Sequence, residues 1–168
     1  CVEELVKAGK QVQVVEFSYA GGYEVQRKAI QQLVPFHSLG VNKYEQLDEI
    51  MCNFEPGIVH IQEFPEHWAK DEAAVAIRSL YKPTRTYKII ETSHGDVLEP
   101  EQKQYFPDAF VWVSKFHASK FTSLNIPYTI VEYEVGVHIR PDRTSALNAL
   151  NLDPKLRHVL NVGLFTPG

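Results

Sequence analysis

Tyr87-Lys88-Ile89-Ile90-Glu91-Thr92-Ser93 and Asp108-Ala109-Phe110-Val111-Trp112-Val113-Ser114 decide how the chain folds. Each run is too short for an ordinary helix and rich in β-branched and aromatic residues, so each predicts a largely buried strand. Working outward, Ile58–Gln62 (IVHIQ) predicts a buried strand on one side and Tyr128–Tyr133 another strand on the other. Gln11–Phe17 (QVQVVEF) is a further strand candidate, while Val34–Leu39, which contains Pro35, is a weak short one. Between these runs lie stretches with helical spacing. Repeated strand–helix alternation predicts the α/β class, with a Rossmann-like, doubly wound parallel sheet.

The helical stretches carry their own start and stop signals. Val2, Leu5 and Val6 share one face, and Gly9 is placed to end that helix. Val25, Ala29, Ile30 and Leu33 line a second helix. Asn42 followed by Glu45 reads as a capping box ahead of the stripe Tyr44, Leu47, Met51 and Phe54. Pro65-Glu66 is expected to open the next helix, with Ala73, Ala76, Ile77 and Leu80 on its inner face and Arg78 and Lys82 near its negative end. A helix over about Phe116–Leu124, capped by Asn125, and a short one over Ser145–Leu152 follow, then a last strand over His158–Gly163. The chain opens on a helix with no preceding strand and closes on a strand with no following helix, which leads us to expect a fragment of a larger protein.

Composition excludes several classes. The 168 residues are 44% hydrophobic and 23% charged, ordinary for a globular domain. Seventeen basic against twenty-one acidic residues leave a net charge of −4, so no nucleic-acid platform is expected. Cys1 and Cys52 stand far apart with no CxxC, which argues against a zinc knuckle or a disulfide framework and suits a reducing compartment. No apolar run is long enough for a membrane span.

Open parallel sheets bind ligands beyond the carboxyl ends of their strands. Those ends read Ser18-Tyr19-Ala20-Gly21-Gly22, Gln62-Glu63-Phe64, Ser93-His94-Gly95-Asp96, Ser114-Lys115 and Val135-Gly136-Val137-His138. His94 is the main candidate: it directly follows a strand, and Gly95 lets the backbone turn or a ligand come close. Plain structural roles compete at the other positions. Gly21-Gly22 suits a turn, Glu63 a solvated loop and Ser114 a helix N-cap. His60, inside an apolar run, reads as a hydrogen-bonded core histidine. GxGxxG, GxSxG and HExxH are all absent, and no Asp-x-Asp pair occurs.

Several of these segments, in this order, resemble a known family. Ile89–Gly95 (IIETSHG), Asp108–Ser114, Tyr128–Val131, Val135-Gly136-Val137 and Arg140-Pro141 are similar to the amino-terminal half of retaining glycosyltransferases of the GT-B fold, family 4 type. Ile58–Gln62 is similar to a strand of that family, and Ala146–Leu152, His158–Gly163 and Leu164-Phe165 to the passage into its second domain. The turn Glu134–His138 departs from the family pattern: Val135 and His138 stand where Asn and Asp are usual. Leu164 takes the place of a frequent Arg.

The resemblance implies an acceptor-side domain over residues 1–157, its first strand upstream of Cys1, and the first strand of a donor-binding domain over residues 158–168. It implies transfer of a sugar from a nucleotide-sugar donor to a carbohydrate, lipid or small-molecule acceptor, with retention, in glycan or glycolipid synthesis. His94 would be catalytic; strand-end position makes Glu63, Glu66 and Lys115 acceptor-binding candidates. Gly21, Gly22, Gly95, Ser114 and Gly136 would lie in substrate-adjacent loops. No metal or resident cofactor is expected. A cytoplasmic place is implied, with the inner face of a membrane open to it, and the chain without its carboxyl-terminal partner domain is expected to be inactive. Two alternatives stand: a noncatalytic Rossmann-like binding module, or another nucleotide-sugar enzyme.

Overall fold

The computed structural model describes residues 2–17, 22–63, 66, 72–94, 99–132, 142–153 and 155–156. The chain divides into two compact units, Cys1–Tyr133 and Glu134–Gly168. The expected domain boundary at 157/158 and the expected strand over 158–163 lie outside the described residues.

Within the first unit, α1 (Val2–Lys7) leads to β1 (Val14–Glu16), α2 (Glu24–Gln31) and β2 (Phe36–Ser38), and β1 and β2 pair in parallel. α3 (Lys43–Phe54) then leads to β3 (Ile58–Gln62), α4 (Glu72–Ser79), β4 (Lys88–Ser93), β5 (Ala109–Trp112), α5 (Lys115–Lys120) and β6 (Tyr128–Ile130). β3, β4, β5 and β6 form a second sheet in that order, every pair parallel. This is the expected α/β class, Rossmann-like, with parallel sheets flanked by helices. In the second unit, α6 (Arg143–Ala149) is the helix expected from Ser145.

Local chemistry explains where the elements stop and start. Gly9 takes a left-handed φ of 71° and donates to Val6, while Lys10 donates back to Leu5. Those two bonds satisfy the last carbonyls of α1 as a Schellman ending requires. Ser114 caps α5 by accepting the His117 N–H. Asp142 caps α6, accepting from Thr144 and Ser145, and so begins it two residues before the expected start. The capping box expected at Asn42 does not form. Asn42 is left-handed (φ 61°), a backbone from which its side chain makes no cap bond. Gln46 instead accepts the Gly40 N–H at 3.0 Å and donates to the Val41 carbonyl at 2.9 Å.

The register puts Val59, Ile61, Ile89, Glu91, Phe110, Trp112 and Ile130 on one face of the four-stranded sheet. On that face Ile61 and Ile89 pack with Leu47 of α3 and Ala76 and Ile77 of α4; Val15 and Phe17, from the β1 segment, join the same cluster. Ala73, Ala74 and Ala76 are fully buried, and such small side chains let α4 lie close on the strands. Trp112 stacks between Phe110 at 4.9 Å and Phe121 at 4.7 Å, closing a second cluster under α5. The opposite face carries Ile58, His60, Gln62, Ile90 and Thr92. There Ile58, His60 and Gln62 are exposed, so β3 is not the fully buried strand that its apolar run predicts. Only Ile61 of that strand is buried.

Candidate functional site

β3 and β4 run side by side, and their carboxyl ends bring four polar residues together. Gln62 pairs with Thr92 in the register, and the chain leaves β3 through Glu63. Glu63 has a φ of 72°, a conformation that costs a side chain on the order of 1 kcal/mol or more. Two hydrogen bonds offset that cost. The Glu63 N–H extends the ladder to the Thr92 carbonyl at 2.7 Å, and its carboxylate accepts the His94 N–H at 2.7 Å. Glu63 therefore locks the backbone where β4 ends.

The side chains continue the network. His94 Nε2 lies 3.0 Å from Gln62 Oε1. Gln62 Nε2 lies 3.2 Å from His60 Nε2, and His60 Nε2 lies 2.6 Å from Thr92 Oγ1. Burial, and then the charge of His94, push the His60 pKa below its ordinary value. His60 is thus a neutral hydrogen-bonded ring, as its sequence context suggests, but it stands on the exposed sheet face instead of in the core. The pattern His60-x-Gln62 was visible as alternate residues of one strand; its link to His94 was not.

Ser93 pairs with Trp112, so Ser114 and Lys115 lie at the same sheet edge as His94. Lys115 is exposed at the start of α5 and Ser114 is half-buried beneath it. Gly22 follows β1 in the two-stranded sheet, with φ 89° and its N–H on Glu24 at 3.2 Å. Gly21, Gly95, Gly136 and the turn from Val135 to His138 lie outside the described residues.

Glu66 is committed elsewhere. Its carboxylate accepts the N–H groups of Gln104 and Tyr105 at 2.7 and 2.8 Å and pairs with Lys103 at 3.2 Å. Only 8% of its side chain is exposed, so it anchors the 103–105 backbone and offers no open edge to an acceptor. Lys103 is wholly buried and also meets Glu91 Oε2 at 3.0 Å. The Tyr81 hydroxyl donates to Glu91 Oε1. Burial lifts the Glu91 carboxyl to about 7 against the pull of Lys103. A glutamate in the middle of an apolar strand was the one sequence signal for this cluster.

Among the described residues no group of three or more His, Cys, Asp or Glu could hold a metal ion, and no helix is long and apolar enough to cross a membrane. Neither a protein-family model nor a curated protein nor a solved structure matches the chain.

Proposed function

We propose that this chain is the acceptor-side half of a retaining glycosyltransferase, moving a sugar from a nucleotide-sugar to an acceptor hydroxyl, with His94 beside the transferred sugar. The observation that carries the reading is the anchoring of His94. It is exposed at the carboxyl end of a parallel strand, its backbone held by Glu63 and its ring by Gln62. Strand-end position and the resemblance of the surrounding segments supply the rest.

In such a reaction the bond from the anomeric carbon to the diphosphate breaks as the acceptor oxygen bonds to the same face of the sugar. The acceptor proton passes to the departing phosphate, so no side-chain base is required. His94, fixed at both backbone and ring, orients a sugar hydroxyl or supports the positive charge that develops on the sugar. Lys115 would contact the acceptor, Ser114 would lie in the loop beside it, and Glu63 acts through His94.

Titrating the isotope-labelled protein with a panel of acceptor sugars and glycolipid headgroups tests this. Amide shifts should gather at Glu63, His94, Ser114 and Lys115. Shifts confined to the groove between α3 and the end of α4, around Met51 and Lys82, would overturn the assignment. The competing reading, a noncatalytic binding module, is favoured by the altered turn at Val135 and His138. It predicts the same shifts with no sugar transfer in the presence of acceptor and donor-binding domain.

A further inference from the structure

The carbonyl end of a helix favours cations, so carboxylates gathered there without a neutralising base are unfavourable. α3 has that arrangement: no basic residue stands in its last turn, and Glu55 is its C-cap. Asp48, Met51, Cys52 and Glu55 recur at helical spacing and so share one face. That face is one side of a groove of about 740 Å3, and Lys82, Thr84 and Arg85 of the turn after α4 line it as well. Leu47, Leu80 and Tyr87, members of the first core cluster, form its apolar floor. Burial raises the pKa of the Tyr87 hydroxyl, Arg85 opposes that rise and Asp48 adds to it, so both charges act on the same floor residue.

Opposite charges therefore line one cavity, yet they do not cancel inside it. Arg85 pairs at 3.0 Å with Asp108, which is not part of the lining. Among the described residues, Asp48, Glu55 and Lys82 form no ion pair. The volume falls within the roughly 300–1,000 Å3 of small-molecule sites.

We propose that this groove binds a short zwitterionic peptide with apolar side chains, its amino terminus at Asp48 and Glu55 and its carboxyl terminus at Lys82. The ammonium supplies the cation that the end of α3 lacks. A side chain of the peptide lies over Met51 and the apolar floor, and the exposed Thr84 offers a hydroxyl to its backbone. A free amino acid holds both charges on one carbon and cannot serve two sides of a groove. Gly57 and Tyr87 directly precede β3 and β4, so the groove lies at the amino ends of those strands, whereas His94 follows the carboxyl end of β4. The proposal thus stands or falls separately from the glycosyltransferase reading.

The probe is the dipeptide Leu-Leu, titrated into the isotope-labelled 168-residue protein. Saturable amide shifts should appear at Cys52 and Thr84–Thr86 with a Kd of about 1 mM or below. Cys52 is a free, exposed thiol of the lining, so its alkylation by iodoacetamide, scored by mass spectrometry against Cys1, should slow as the dipeptide binds. N-acetyl-Leu-Leu, Leu-Leu amide and free leucine should each bind about fivefold more weakly, the worth of one exposed charge contact. The double variant Asp48→Asn, Glu55→Gln should weaken Leu-Leu and leave the N-acetyl form unaffected; Lys82→Gln should weaken Leu-Leu and leave the amide unaffected. All three side chains are exposed, so these changes open no core. Absence of saturable shifts, equal binding of a blocked form or of leucine, or shifts confined to Glu63 and His94 would overturn the proposal.

Discussion

Replacing Lys103 by methionine should destabilise the protein by about 1 kcal/mol more at pH 8 than at pH 5.5. Lys103 lies wholly buried between two carboxylates, 3.2 Å from Glu66 and 3.0 Å from Glu91, with its ammonium also about the faces of Tyr81 and Phe110 at 6.0 and 5.9 Å. Methionine fills similar volume but leaves Glu91 with no cation beside it. The carboxyl escapes part of the cost of that loss by protonating, so the pH-dependent loss at pH 8, one unit above the wild-type value of about 7, is capped at about 1.4 kcal/mol, roughly 3–5 °C in Tm for a chain of this size. The pH sets how much of that cost appears. Burial raises the folded-state pKa of Glu91 from 4.5 to about 7, so the folded state holds a proton that the unfolded state has released between those values. The stability contributed by Glu91 is therefore fully present below 4.5 and is lost as pH rises through 7, a swing of about 3 kcal/mol. Removing Lys103 removes the main interaction that lowers this pKa, so the variant's folded pKa climbs further and its penalty keeps growing above 7. At pH 5.5 Glu91 is neutral in both folded proteins, and only the losses at Glu66 and the two rings remain. Urea unfolding of both proteins at pH 5.5, 7 and 8 measures the difference. Adding Glu91→Gln to Lys103→Met should recover most of the extra loss at pH 8. A destabilisation that is the same at all three pH values would refute the argument, and so would a variant as stable as wild type at pH 8.

Other expectations are as direct. Burial raises the Asp108 carboxyl, but the Ile89 N–H, Arg85 and Lys88 outweigh it and hold its pKa at about 2, so Asp108 contributes stability above 3.8 that is lost as pH falls through 2. Asp108→Asn should cost about 2 kcal/mol at pH 7 by urea unfolding, and the gap should shrink below pH 3. His94→Ala, measured with the donor-binding domain present, should lower kcat by roughly a hundred- to a thousandfold while Tm stays nearly constant; a low Tm with normal kcat per folded molecule would return His94 to a structural role. Transfer should survive a chelator, and loss of activity restored by manganese would contradict the metal-free mechanism. Asp142→Ala should speed hydrogen exchange at Thr144 and Ser145, the two amides that it accepts; unchanged exchange would show that α6 does not depend on its cap.

The sequence by itself determined what short-range physics controls. β4 and β5 were legible as runs of β-branched and aromatic residues, the end of α1 from Gly9, and the start of α5 from Ser114. In each case the deciding interactions span a few residues, and the composition of the segment states them. Only the tertiary structure decided how distant side chains pair. Asn42 and Glu45 have the spacing of a capping box, yet the backbone at Asn42 turns left-handed and Gln46 takes the neighbouring amide. Glu66 and Lys115 looked alike as charged residues near strand ends. The fold buries Glu66 against Lys103, thirty-seven positions away, and leaves Lys115 in water. His60 and Thr92, separated by thirty-two positions, share a hydrogen bond because β3 and β4 align in one particular register. A local pattern fixes which way a strand's side chains alternate. Which neighbour each one meets depends on the register and on what covers each face, and those are properties of the assembled sheet.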